Sequence, residues 1–179
     1  MTPDKELQGE RVKLRPLRKE DLPARLAMNN DPEVQRVTVG DEVGEDSSLV
    51  DMQGWFDTLA ADRHSEQWAV EAEDGTYIGD IDLHSIGMQP AGQPRQAWLN
   101  PFFGHKDYWN QGLERQALAA LIAHARDDLG IEKLSLEIME SDRALLEAVQ
   151  ELGFHLEERV EGAVNGKDVL TFSLDLSSR

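Results

Sequence analysis

Residues 97–117 read Ala97-Trp-Leu-Asn-Pro-Phe-Phe103, then Gly104-His-Lys-Asp-Tyr-Trp109, then Asn110-Gln-Gly112-Leu-Glu-Arg-Gln-Ala117. The first seven have the apolar and aromatic content of a strand, yet Pro101 has no N–H to give to a ladder. A proline inside a strand marks a bulge, a sheet edge or a pair of strands that splay apart. Downstream, Leu118, Leu121, Ile122, Ala125 and Leu129 make an apolar stripe at helical spacing, and Gly130 closes it. The stretch predicts an interrupted strand, a loop, and an amphipathic helix.

The same patterns continue on both sides. Val12-Lys-Leu-Arg-Pro-Leu17 alternates as a strand. A short helix follows from about Glu20 to Asn29, and Asn30-Asp-Pro-Glu breaks it, because Pro32 cannot continue a helix and restrains Asp31. Ser47 or Ser48 caps a second helix with Leu49, Met52, Phe56 and Leu59 on one face. Gln67–Ala72 and Tyr77–His84 are the arms of a hairpin about Asp74-Gly75. After the central helix, Leu134, Leu136 and Ile138 alternate as a strand, and Asp142 caps a helix carrying Leu145, Leu146, Val149 and Leu152. Phe154–Glu161 and Val169–Leu176 form a last hairpin around Asn165-Gly166. The order β-α-α-β-β-β-α-β-α-β-β, with no repeat and no linker, predicts one mixed α/β domain over residues 1–179 with a largely antiparallel sheet.

Composition narrows the function. With 179 residues the chain can bury a full core without covalent staples. It has no cysteine, which excludes disulfides, thiolate metal sites and cysteine nucleophiles. Its polar start and short apolar runs, such as Leu118–Ala123, argue against a secretory signal or a membrane span, so the expected setting is cytoplasmic. Eighteen Lys and Arg face 35 Asp and Glu, a net charge of −17 that argues against nucleic acid and against anionic membranes. Between residues 40 and 74 there are eleven acids and one basic residue, Arg63. Such a surface attracts an amine or a basic peptide end; it also simply keeps a protein in solution.

Several local motifs occur together. Arg11-Val-x-Leu-Arg-Pro-Leu17 is followed by Glu20-Asp-Leu22 and Asp31-Pro-Glu-Val34; then come Trp55-Phe56, Trp68-Ala-Val-Glu71, Ile78-Gly79, the segment Ala97–Gly112, and Leu152-Gly-Phe154. In this order they resemble the GNAT superfamily of acyl-CoA N-acyltransferases, most nearly the RimJ/RimL-like branch that acetylates ribosomal-protein N-termini and the related polyamine acetyltransferases. The resemblance implies a GNAT-type fold, a central twisted sheet of about seven strands with flanking helices. It implies acetyl-CoA as co-substrate and direct attack on the thioester by a primary amine of a small molecule, a polyamine or a basic protein N-terminus; His64, His124 and His155 are widely spaced, so no metal is expected. A homodimer is compatible with that branch.

The resemblance also places site residues. Phe102 and Phe103 on the strand, Trp109, Asn110, Gln111, Gly112, Leu113, Glu114 and Arg115 at the helix start, and Asp142 on the next helix would hold CoA. Tyr108 and His84 are the candidates for proton transfer. The acceptor would meet Asp82, Trp98 and the acidic loop Asp41–Asp46, where Asp41 and Glu42 precede Val43.

The sequence departs from the family pattern at several of these positions. Gly112 falls on the first glycine of the phosphate-binding consensus, but Glu114 falls on the second glycine or alanine. A carboxylate in the first turn is itself favoured by the helix dipole and could fill the phosphate position; turned outward, it would leave its N–H free for phosphate, with Arg115 offsetting the charge. Asp142 stands for the usual asparagine, Val149 for the usual tyrosine acid, and Trp98 for a common acidic residue. Tyr108, His84, Asp80 and Asp82 also have ordinary readings, as a half-buried ring, a strand-end residue and a solvated strand face. Two functions follow: an acetyl-CoA-dependent N-acetyltransferase, or a catalytically degenerate protein of the same fold that has lost CoA and binds a partner.

Overall fold

Pro101 sits where two parallel strands part. In the computed structural model, which describes residues 3–38 and 46–177, the chain runs through β1 (Leu7–Gln8), β2 (Val12–Pro16), α1 (Leu22–Asn29), α2 (Pro32–Thr38), α3 (Leu49–Ala61), β3 (Glu66–Ala72), β4 (Tyr77–His84) and β5 (Gln96–Phe102). It continues through α4 (Leu113–Asp127), β6 (Lys133–Met139), α5 (Arg143–Glu151), β7 (His155–Val164) and β8 (Lys167–Asp175). The strands form one sheet in the order β1-β2-β3-β4-β5-β6-β8-β7. Every neighbouring pair is antiparallel except β5 with β6, which α4 joins as a crossover.

The element order of the sequence reading stands, with two additions. The eighth strand is β1, two residues long, too short for any alternation to reveal. The other is α2. Pro32 does end α1, but it also opens α2, because a proline's missing N–H costs nothing in a first turn. Asp31 caps the new helix: its Oδ1 accepts from the N–H of Glu33 at 2.9 Å and of Val34 at 3.4 Å. At α3 the cap is Ser48, whose hydroxyl accepts from Asp51 N–H at 3.2 Å while the Asp51 carboxylate accepts from Ser48 N–H at 2.9 Å.

One face of the sheet carries the main core. Leu14, Trp68, Val70, Ile81, Leu83, Leu99, Leu134 and Leu136 pack there with Leu113, Leu118 and Leu121 of α4 and Leu145 and Val149 of α5. A polar tie crosses this face: buried His124 of α4 bridges Glu66 of β3 at 2.9 Å and Asp128 at 2.7 Å. The opposite face of β4 and β5 is polar. Cross-strand partners share a face, so Asp80 with Phe102, Asp82 with Asn100 and His84 with Trp98 form a row there. α1 lies over this row, anchored by Arg25 to Asp80 at 2.7 Å.

Gly79 fits the sheet to its neighbour. A Cβ at this position would stand 2.1 Å from the Phe102 carbonyl oxygen and 2.9 Å from Phe103 Cα. Only glycine lets β4 approach the end of β5 so closely.

Candidate active site

The parallel pairing of β5 with β6 runs from Gln96↔Lys133 to Leu99↔Leu136 and stops. Each strand continues for three residues, Asn100–Phe102 and Glu137–Met139, bound only to its outer neighbour. β5 stays on β4 as far as Asp80↔Phe102, and β6 stays on β8 as far as Met139↔Val169. Pro101, with no N–H, stands at this fork. The fork opens a cleft of about 250 Å³ lined by Asp80, Asp82, Asn100, Phe102, Glu137 and Asp142.

Two further spaces share walls with the cleft. Toward the helices, Asp142 is shared with a cavity of about 150 Å³ between the starts of α4 and α5, lined by Phe103, Trp109, Asn110, Glu114 and Arg143. On the other side, Asn100 and Glu137 are shared with an open groove floored by His84, Ser85 and Trp98. The three spaces thus share walls, with the fork in the middle.

The cavity on the helix side is shaped by the turn that leads into α4. Asn110 and Gly112 have φ of 60° and 71°, and this double left-handed bend turns the chain into α4. Asparagine and glycine are the residues that adopt it most readily. No side chain caps α4, and its first-turn N–H groups, with the dipole behind them, favour an anion. Trp109 is pinned across the cavity wall by its indole N–H donating to the Phe103 carbonyl at 2.8 Å. Against this stands Glu114, 6% exposed, in the same cavity. Burial pushes its carboxyl above the ordinary value of 4.5, its own N–H draws it partly back, and nearby Asp142 pushes it further up. Asp142 is likewise raised by burial, although it caps α5 by accepting from Leu145 N–H at 3.1 Å.

In the cleft the carboxylates differ. Asp80 accepts from Arg25 Nε at 2.7 Å and from the Tyr77 hydroxyl at 2.5 Å. Arg25 also stacks over the Phe102 ring at 3.5 Å. Asp82 is 8% exposed and has no cation partner among the described residues; Gln67 Nε2 donates to it at 3.2 Å. Burial raises its carboxyl above 3.8, outweighing the opposing effects of Gln67 and His84. Glu137 is exposed on the facing strand and makes no ion pair among the described residues.

A scan against protein-family models matches residues 11–155 to the acetyltransferase (GNAT) domain. The chain belongs to the GNAT acetyltransferase family. Among curated proteins, it is 27% identical over 123 residues to an uncharacterized N-acetyltransferase, YycN, of Bacillus subtilis, spanning 67% of this chain and 76% of that one. The GNAT fold is also that of RimJ from Mycobacterium smegmatis, solved with CoA-disulfide, at TM-score 0.80 and 17% identity, covering 96% of this chain and 88% of that chain. The spermidine N-acetyltransferase of Vibrio cholerae, solved with CoA and spermine, superposes at TM-score 0.78 with 19% identity, over 93% and 96% of the two chains.

Within this GNAT chain the residues anticipated from sequence fall into groups. Phe103, Trp109, Asn110, Glu114 and Asp142 line the helix-side cavity, and Phe102 and Asp82 line the cleft. His84 and Trp98 lie together in the open groove. Leu113 is 1% exposed and packs in the core. Gln111 reaches Arg11 at 3.5 Å, and Arg115 pairs with Glu151 at 3.3 Å. Tyr108 lies apart from the cleft: its hydroxyl donates to Asp74 at 2.6 Å, and it shares a depression with Arg11 and Glu73. Tyr108 and His84 thus line different depressions. Asp41 and Glu42, with Val43, lie outside the described residues. Arg25, Asn100, Glu137 and Arg143 were not anticipated; Glu137 was visible only as the polar member of an alternating strand. Among the described residues no cluster of three metal-binding side chains occurs, and no helix is long and apolar enough to cross a membrane.

Proposed function

We propose that residues 1–179 act as one domain that acetylates a primary amine from acetyl-CoA, the amine being carried by a polyamine, a small molecule or a basic peptide N-terminus. The observation that supports this most is the fork between β5 and β6. The last three residues of each strand have no ladder partner on the side of the cleft, and backbone groups away from water require partners. Acetyl-CoA supplies the activated acetyl group when bound. The uncapped start of α4 and the space beside Trp109 suit its diphosphate, and the fork suits the amide-bearing arm. The misfit is Glu114, taken up below.

The protein's own groups define the acceptor. Asp82 and Glu137 face the cleft from its two sides with no cation of their own, so a protonated amine is the group they would hold. An amine attacks only after losing its proton. Asp82, raised above the ordinary carboxylate range by burial, is the better-placed base, and His84 in the adjoining groove leads toward solvent. Asp80 is already neutralised by Arg25 and holds α1 over the site.

A titration with acetyl-CoA followed by Trp109 fluorescence tests the reading, combined with mass analysis of spermidine and of basic peptides incubated with both. Saturable quenching and a mass gain of one acetyl group on an amine are expected. Absence of binding at any pH would sink the reading and leave the partner-binding alternative, which Glu114 favours.

A further inference from the structure

We propose that CoA binds this chain together with one proton, taken up by Glu114, so that Glu114 sets the affinity for the diphosphate and makes it fall as pH rises. The inference rests on the acyl-CoA reading above. It starts from a conflict within one cavity. The start of α4 presents first-turn N–H groups, and Gly112 at its N-cap has no side chain to offer them, an arrangement that attracts an anion; Glu114's own carboxylate meets its own N–H there. The same cavity holds the Glu114 side chain, more than nine-tenths buried, with no ion pair among the described residues. A buried carboxylate without a cation is costly, and a diphosphate brought beside it would add direct repulsion.

The surroundings offer little relief. On α5, Asp142 adds negative charge, and one of its oxygens is occupied by the Leu145 N–H. Arg143 lines the cavity but is exposed at its mouth, where it can meet a phosphate without neutralising Glu114. Arg115, on α4 itself, turns to Glu151. Arg11 turns to Gln111 and Glu73. The remaining wall, from Val37, Phe103, Trp109, Asn110 and Ser141, is uncharged. A proton is therefore the simplest counter-charge. Protonated, Glu114 becomes a neutral group that can donate a hydrogen bond to a phosphate oxygen.

The sign follows from linkage. Burial already holds the free carboxyl above 4.5, and the bound diphosphate raises it again. Affinity is then greatest where Glu114 is protonated in both states. It weakens by up to about tenfold per pH unit between the free and bound values, and levels off above them.

The test is the dissociation constant of CoA from about pH 5 to about pH 8 for the wild type, Glu114→Gln and Glu114→Ala. Calorimetry of the wild type in two buffers of different ionisation enthalpy counts the protons taken up. Thermal denaturation confirms that each variant is folded. We expect wild-type affinity to fall relative to Glu114→Gln as pH rises, a gap of tenfold or more at the alkaline end, and net proton uptake by the wild type alone. Parallel pH curves with no proton uptake overturn the inference and leave the acyl-CoA reading intact. No CoA binding by any of the three proteins at any pH overturns both.

Discussion

Asp80 and Asp82 stand two positions apart on one face of β4, and their environments separate them. Asp80 takes two donors, from Arg25 and Tyr77, and becomes part of the scaffold. Asp82 takes a neutral amide and keeps a raised carboxyl. The sequence shows the alternation of the two acids but not this division, because Arg25 lies 55 residues from Asp80. Asp82→Asn keeps the shape and the Gln67 contact but removes the base. Its turnover should fall by about 10²- to 10⁴-fold with the CoA dissociation constant unchanged. In the wild type, turnover should decline in acid as Asp82 protonates, with a midpoint above the ordinary 3.8, and the variant's residual rate should lack that limb. A variant of undiminished turnover would remove Asp82 from the reaction.

At the scale of elements, the site is a matter of where pairing ends. A strand containing Pro101 is readable from sequence as one that leaves its partner. Which partner, and after which residue, depends on the register of β5 on β6, set by contacts across α4 that no local pattern encodes. The same limit hid α2, whose single turn signal, Asp31-Pro32, also reads as a stop. Gly79 tests the fork directly, since a methyl group there meets the Phe102 carbonyl at 2.1 Å. Gly79→Ala should destabilise the fold by about 1–3 kcal/mol in urea denaturation and weaken acetyl-CoA binding, because β5 must move. Gly54→Ala, inside α3 with open space around its Cβ position, should instead gain about 0.5–1 kcal/mol. If Gly79→Ala denatures like wild type, the close approach of β4 and β5 does not matter to the fold.

Over the whole molecule, charge and topology were the most legible features. The net charge of −17 is read directly from the sequence, as is the alternation of strands and helices, because both follow from composition and period. The cleft at the fork was not, because it joins residues from β4, β5, β6 and the start of α5. The charge has a kinetic consequence. For a cationic acceptor, kcat/KM should drop as ionic strength rises from about 0.01 M to about 0.15 M, where the screening length shrinks from about 30 Å to about 8 Å. An uncharged amine analogue should show no such drop, and equal salt sensitivity for both would dismiss steering by the acidic surface. The place of β8 bears on how the protein is made. It lies between β6 and β7 in the sheet yet follows both in the chain. During translation the ribosome releases β6 and β7 before the strand that must join them, so the β6 arm of the fork waits for residues 167–175. A nascent copy is therefore enzymatically silent until almost all of its described length has emerged.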